Sequence, residues 1–137
     1  MAMIGVASKR LSLSPAAAQY SLAGVFFVLG GWCLVAPDSV MTLAFRPEYH
    51  SSDRLVSFLL GGFGAQALIA GLFAAFSVFT RRTFAAYGVA LLPFFVFDYW
   101  FYFVEPILTP IGLLDAAGNV VMLTLCWIGW RSRPDQV

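Results

Sequence analysis

The sequence predicts an all-α membrane protein, a single domain over residues 1–137 in which four transmembrane helices form an antiparallel bundle. Of the 137 residues, 61% are hydrophobic and only 11% are charged, whereas soluble domains carry about 25% charged residues. Four apolar stretches are long enough to span, because a helix of roughly 20 residues crosses the hydrocarbon of a bilayer. Together they leave no room for a soluble domain.

Helix-capping signals mark where the predicted spans begin. The spans cover residues of about 15–36, 55–79, 84–104 and 110–130. Ser14 precedes Pro15 and Thr109 precedes Pro110, so each pair places a capping hydroxyl ahead of a proline in the first helical turn. Pro93 lies inside the third span, where we expect it to bend the helix.

Basic residues predict the orientation of the bundle. Pairs of them precede span one, join spans two and three, and follow span four, namely Lys9, Arg10, Arg81, Arg82, Arg131 and Arg133. With four crossings all three pairs lie on one side, so both termini are predicted to be cytosolic. The basic pair ahead of an apolar run resembles a signal sequence, and because this run is too long for a cleaved peptide we expect a retained signal-anchor. We expect a multi-pass integral membrane protein, of the endoplasmic reticulum or another internal membrane if the cell is eukaryotic.

Composition and motifs argue against several function classes. The net charge of +1 gives no basis for binding nucleic acid. His50 is the only histidine. Cys33 is predicted near the non-cytosolic side of the membrane and Cys126 near the cytosolic side, so we expect no disulfide and no zinc or haem site. The sequence contains no phosphate loop, no GxSxG elbow and no CxxC pair. The expected partners are therefore the lipid bilayer and a hydrophobic small molecule, without cofactor or metal; oligomerisation stays open.

Spans two and three differ in the size of their side chains. Span two carries a stripe of small residues, which are Gly61, Gly62, Gly64, Ala65, Ala67, Gly71 and Ala75. Such a stripe favours close helix packing, with a thin wall beside a ligand as the alternative. Span three is crowded with aromatic residues in its outer half, which is typical of an interfacial belt and of aromatic packing.

Acidic side chains inside apolar spans indicate where function lies. A carboxylate in hydrocarbon costs roughly 2.5–3.5 kcal/mol, so such groups face a bundle interior or a wet cavity. Asp98 and Glu105 are seven residues apart on one helical face, and Tyr102 lies four residues after Asp98. Asp115 and Asn119 are likewise four residues apart on span four.

The depths of these groups in the membrane can be compared, because spans three and four share a short turn and must be antiparallel neighbours. At 1.5 Å rise per residue, Asp98 and Asn119 each lie roughly 12 Å from that turn, and Asp115 and Tyr102 are shallower. The four side chains can therefore converge on one cavity, and we assign them as candidate catalytic residues.

Four further residues are candidates for binding substrate, namely Glu105, Trp100, Gln66 and Trp32. Structural alternatives exist for several members of the site. Glu105 can be an interfacial loop carboxylate, and Asp115 can complement the helix dipole. Asn119 and Gln66 can form hydrogen bonds between helices. Asp98 has the weakest structural explanation, because no predicted span contains a Lys or Arg to pair with it.

Two carboxyl groups in a dry pocket support acid–base chemistry. One that keeps its proton is a general acid for an oxygen on a hydrophobic substrate, and an ionised one beside it can act as base, nucleophile or cation stabiliser. Opening an epoxide fits this arrangement. The acid protonates the ring oxygen, and attack by water gives hydrolysis whereas attack by an internal alkene gives cyclisation.

Two segments resemble a known family. Residues 92–102 (LPFFVFDYWFY), followed by residues 115–119 (DAAGN), are similar to small multi-pass proteins of fungal biosynthetic clusters. These are the membrane-bound terpene cyclases of the ascofuranone pathway and the related hydrolases of citreoviridin-type and aurovertin-type polyketide pathways. The resemblance extends over residues of about 20–131. It implies hydrolysis or cyclisation of an epoxidised polyketide or terpenoid intermediate in secondary-metabolite biosynthesis, without metal or organic cofactor, and it assigns no catalytic residue.

Two other function classes stay open. A non-catalytic accessory subunit similar to DoxX-type proteins predicts that the polar groups only pair with one another and that span two exposes its small-residue face. A small proton-coupled transporter predicts openings towards both aqueous sides, with Asp98 as the coupling group. An enzyme predicts a cavity lined by both Asp98 and Asp115.

Overall fold

The computed structural model describes residues 13–132, which form helices and connecting loops without a β-strand. Its five α-helices are α1 (Pro15–Val35), α2 (Pro37–Ala44), α3 (Arg54–Phe76), α4 (Arg81–Tyr99) and α5 (Leu114–Ser132). A 3₁₀ turn at Pro47–Tyr49 follows α2, and a π-helical segment at Trp100–Val104 continues α4. The basic residues Lys9, Arg10 and Arg133 lie outside the described residues. The prediction of an all-helical protein is confirmed.

Among the described residues, three helices are long and apolar enough to cross a membrane. They are α1, α3 and α4 together with its π-helical extension. Helix α5 has 19 residues but is not among them, because Asp115, Asn119 and Arg131 lower its hydropathy. Three of the four predicted spans therefore correspond to helices able to cross a bilayer, and the fourth crossing stays a prediction.

The two capping signals lead to different outcomes. Ser14 caps α1 as expected, since its Oγ accepts a hydrogen bond from the backbone N–H of Ala17 at 3.1 Å. Thr109 does not cap a helix that begins at Pro110. Its Oγ1 accepts from the N–H of Gly112 at 3.2 Å within a turn, and α5 begins only at Leu114. Residues 110–113 are needed for the turn that joins α4 to α5.

Contacts between loops and helix ends show that consecutive long helices run antiparallel. Gln19, near the start of α1, donates to the carbonyls of Ala74 and Ser77 at the end of α3, at 2.8 and 2.7 Å. At the other end of the molecule, the backbone N–H of Arg46 donates to Ile107 O at 2.9 Å. This bond brings the α2–α3 connection against the α4–α5 connection. The antiparallel order agrees with the arrangement expected from the sequence.

The long helices pack in the spatial order α3, α1, α5, α4. The closest approach is between α1 and α3, where a Cβ added at Gly64 would lie 2.5 Å from Gly30 O and one added at Gly71 would lie 3.0 Å from Phe26 Cβ. This geometry supports the close-packing interpretation of the small-residue stripe. Helices α3 and α4 are consecutive in sequence, yet they have few direct contacts with each other.

Candidate functional site

An amide and two carboxyl groups meet between α4 and α5. Asn119 Nδ2 donates to Asp98 Oδ2 and to Asp115 Oδ2, each at 3.2 Å. Asn119 is 2% exposed and Asp98 is 5% exposed, whereas Asp115 is half-buried. The fold therefore brings together three of the four predicted catalytic side chains. We refer to Asp98, Asp115 and Asn119 as the polar trio.

The two carboxyl groups of the polar trio accept hydrogen bonds from the same amide nitrogen, so their Oδ2 atoms lie close together. The walls of the two cavities that the trio lines contain no Lys, Arg or His. Two carboxyl groups therefore lie side by side in an apolar setting, without a basic side chain in the cavity walls.

The first cavity has a volume of about 330 Å³ and is lined by both carboxyl residues, Asp98 and Asp115. Its other walls are almost entirely apolar and come from α1, α2, α3, the end of α4 and the start of α5. Ligand pockets of about 300–1,000 Å³ with few polar groups are typical of small-molecule sites. We call this space the cap cavity, because α2 covers it.

The cap consists of α2 and Phe45, and it lies against the α4–α5 connection. Val40 and Ala44 of the cap line the cavity, and Phe45 forms an isolated bridge with Leu108. The approach is close, since a Cβ added at Gly112 would lie 2.6 Å from Ala44 O. The cap therefore separates the carboxyl pair from the loop end of the molecule. The predicted spans leave residues 37–54 as the connection between span one and span two, although the apolar run VMTLAF at 40–45 indicates buried structure.

The second cavity, of about 540 Å³, lies between α3 and α4 and is bounded also by α1 and α5. We call it the α3–α4 cavity. Asp115 and Asn119 line it, and so do apolar residues of all four long helices. Asp115, Leu29 and Phe63 line both cavities, so the polar trio lies where the two spaces adjoin.

Two of the predicted binding residues line these cavities. Trp32 lines the cap cavity, and its Nε1 donates to Ser39 Oγ at 3.2 Å. Gln66 is exposed and lines the α3–α4 cavity. The two residues therefore line different cavities, whereas the prediction was a single cavity.

The other three predicted residues lie elsewhere. Tyr102 is half-buried and packs edge-on against Phe103, with ring centroids 4.9 Å apart, and it lines neither cavity. Trp100 and Glu105 are exposed and also line neither. The prediction placed Tyr102 on the same helical face as Asp98, because residues four apart share one face of an α-helix. The helix becomes π-helical at Trp100, and its wider turn changes which residues share a face.

Both described cysteines, Cys33 and Cys126, are buried free thiols. Among residues 13–132, no group of three or more His, Cys, Asp or Glu side chains is placed to hold a metal ion.

No family model, curated protein or solved structure matches this chain. The resemblance to fungal cyclases and hydrolases stays a prediction, and the functional argument depends on the geometry of the site.

Proposed function

We propose that the chain is a multi-pass integral membrane enzyme, with four crossings and cytosolic termini, that opens an epoxide on a hydrophobic polyketide or terpenoid intermediate. The observation that carries this proposal is the amide of Asn119 bonded to two carboxyl groups, Asp98 and Asp115, in the wall of an apolar cavity. Because carboxyl groups in apolar surroundings are costly, a protein keeps a pair of them there for chemistry rather than for packing.

The proposed reaction moves one proton around the carboxyl pair. Asp98, the more buried carboxyl, donates its proton to the epoxide oxygen as one ring C–O bond breaks. A water oxygen attacks the carbon that loses this bond, and the Asp115 carboxylate takes a proton from that water. The product is a vicinal diol, and the proton now resides on Asp115. Transfer of this proton from Asp115 to Asp98, whose Oδ2 atoms bond to the same amide nitrogen, restores the starting state.

The same residues support cyclisation. If an internal alkene of the substrate attacks the opening epoxide in place of water, a new C–C bond forms and a carbocation results. The Asp115 carboxylate then accepts the proton that this cation loses. The choice between the two outcomes depends on whether a water molecule occupies the cap cavity beside the substrate, since preorganised dry sites suppress hydrolysis.

Asn119 is assigned as a positioning residue. A primary amide nitrogen has two N–H donors, which is the number needed to hold both carboxyl oxygens. It fixes the separation of acid and base without supplying a proton itself. The apolar cap cavity strengthens these electrostatic contacts, because they act in a low-dielectric space.

The test is ring opening by the purified protein in lipid nanodiscs, with the terminal epoxide of dodecane in oxygen-18 water. We expect a vicinal diol that carries one oxygen-18 atom, and a loss of at least about 100-fold in turnover for Asp98→Asn. Glu105→Gln is the matched control, since this exposed carboxyl lines neither cavity and should retain turnover within about twofold. Full turnover by Asp98→Asn would refute the assignment of the acid.

A non-catalytic accessory subunit is the second candidate, and the mutual hydrogen bonds of the polar trio favour it. In that role the trio only links α4 to α5. The glycine packing of α3 against α1 argues against the exposed small-residue face that such a subunit was expected to present, although Gly61 and Gly62 have open space beside them. A protein that opens no epoxide in the assay but copurifies with a larger complex would support the accessory role.

A further inference from the structure

The space between α3 and α4 has contacts at two levels and a cavity beside them. Tyr87 of α4 donates its hydroxyl proton to Ala70 O of α3 at 3.1 Å. Nearer the polar trio, the rings of Phe63 on α3 and Phe94 on α4 contact each other at a tilt of 59°, with centroids 6.4 Å apart. The α3–α4 cavity is lined by all four of these residues. The helices are thus held apart by side chains rather than packed backbone to backbone.

The lining of the α3–α4 cavity suits an apolar chain. Four alanines, from both helices, line the space, namely Ala67, Ala70, Ala86 and Ala90. The polar side chains in the wall are Asp115 and Asn119 on α5, Gln66 on α3 and the Tyr87 hydroxyl, which is already bonded to a carbonyl. A ligand in this cavity would therefore meet methyl groups and aromatic rings along most of its length.

The cavity adjoins the cap cavity at the carboxyl pair, since the two spaces share Leu29, Phe63 and Asp115 as wall residues. Along α3, the residues that line one or both spaces run from Val56 to Ala70. At 1.5 Å rise per residue this corresponds to a length of about 21 Å. A compact molecule needs only the cap cavity, whereas an elongated one can place its reactive end there and its remainder between α3 and α4.

We propose that the α3–α4 cavity binds the unbranched or prenyl-like apolar tail of the substrate, and that the tail enters sideways from the bilayer between these helices. Phe63 and Phe94 are 43% and 36% exposed, and both helices are apolar enough to lie in a membrane, so the rims of this cavity face lipid. The cap covers the opposite route from the loop end. The position of the reactive end rests on the function proposed above; the tail site does not.

Photolabelling tests the tail site without requiring turnover. The probe is the terminal epoxide of hexadecane with a diazirine near the other end of the chain, added to the full-length protein in nanodiscs. We expect saturable labelling of residues 63–70 and 86–94, competed by excess unlabelled hexadecane epoxide. Glu105→Gln should label as the wild type does, since Glu105 is exposed and lines neither cavity. Labelling that spreads over all lipid-facing helices and resists competition would overturn the proposal.

A pair of adjacent substitutions tests the position of the tail. Ala90→Phe fills the α3–α4 cavity from its wall, whereas Val89→Phe adds the same ring to a position that is 66% exposed and does not line it. We expect Ala90→Phe to lose competed labelling by about tenfold, a loss within the range that a single steric change in a hydrophobic pocket produces. Val89→Phe should label as the wild type does. Equal labelling of the two variants would contradict the proposed site.

Turnover of two chain lengths separates this proposal from the proposed function. Ala90→Phe should lose turnover of hexadecane epoxide by about tenfold and retain that of hexane epoxide, which fits the cap cavity alone. Equal losses for both lengths would contradict a separate tail site. If the wild-type protein opens no epoxide but shows competed labelling, and Ala90→Phe abolishes that labelling, the tail site is supported and the proposed enzyme is refuted.

Discussion

Helix α3 has two faces that solve different problems, although they are built from neighbouring residues. Gly64 packs against α1, where even an added Cβ would meet the backbone of Gly30. Phe63 instead extends across the gap between α3 and α4 towards Phe94. Small residues allow α1 and α3 to approach closely, and bulky ones hold α4 away. The stripe of small residues therefore determines how closely α3 packs against α1, while the adjacent aromatic position helps to create the α3–α4 cavity.

The polar trio lies at the edge of this gap and is not needed to join α4 to α5. These helices also pack through apolar contacts, such as the ring of Phe84 against Gly129 and the buried side chains of Leu91 and Met122. Hydrogen bonds between membrane helices contribute only about 0.6 kcal/mol on average. The stability of the bundle therefore gives little reason to bury two acids, which favours a chemical role.

Gly64→Leu should have the largest effect on the packing of α3 against α1. The added atoms would meet backbone atoms of α1, which cannot rotate away, so we expect α1 and α3 to separate and the free energy of unfolding to fall by about 3 kcal/mol. Thermal unfolding in detergent, followed by circular dichroism, measures this loss. Gly62→Leu is the control, because Gly62 has no atom within contact distance of an added Cβ. Equal melting of the two variants would contradict the packing described for this face.

Asn119→Ala should reduce turnover by about 10–100-fold, since it removes hydrogen bonds to charged or proton-sharing groups that are worth roughly 1.5–3 kcal/mol. The carboxyl pair keeps its members but loses the amide that positions them. Initial rates of diol formation measure the effect. Thr124→Val removes an exposed hydroxyl that bonds to Val120 O on the same helix and lines neither cavity, and it should change the rate within about twofold. A wild-type rate for Asn119→Ala would show that this amide does not position the carboxyl pair for the reaction.

Thr109→Val should loosen the cap by about 0.5–1.5 kcal/mol, because it removes the bond from Thr109 Oγ1 to Leu43 O at 2.6 Å. Cys33, which lines the cap cavity, should then react faster with a maleimide, while the distant Cys126 should not. Thr42→Val is the matched control, as its hydroxyl bonds only within α2. An unchanged rate at Cys33 would show that this bond does not hold the cap.

The smallest effect is expected for Tyr102→Phe. The Tyr102 ring packs on Phe103 and lines neither cavity, so loss of its hydroxyl should leave turnover within about twofold of the wild type. Steady-state rates measure this. A loss comparable to that of Asn119→Ala would place the hydroxyl in the reaction and require the π-helical turn to move towards Asp98.

Local signals in the sequence were sufficient to locate the four long helices and the polar trio. Hydropathy located the long helices, Ser14 marked the start of α1, and the spacing of Asp115 and Asn119 aligned them with Asp98. These inferences succeed because they depend on helical periodicity and on depth in the bundle.

Features that depend on tertiary contacts were not predicted. The π-helical turn at Trp100–Val104 breaks the spacing that linked Asp98 to Tyr102, and no residue in the turn announces it. The cap forms because α2 finds an apolar surface at the α4–α5 connection. The gap between α3 and α4 follows from how closely α1 and α3 approach, which a one-dimensional pattern does not specify.

A double-mutant cycle of turnover on Asp98→Asn and Asp115→Asn tests the central claim most directly. Groups that pass one proton between them act as a unit, so each single variant should lose about 100–10,000-fold and the double variant little more. The account predicts this strong non-additivity with the protein still folded. Losses that multiply in the double variant, or a single variant that keeps the wild-type rate, would contradict it.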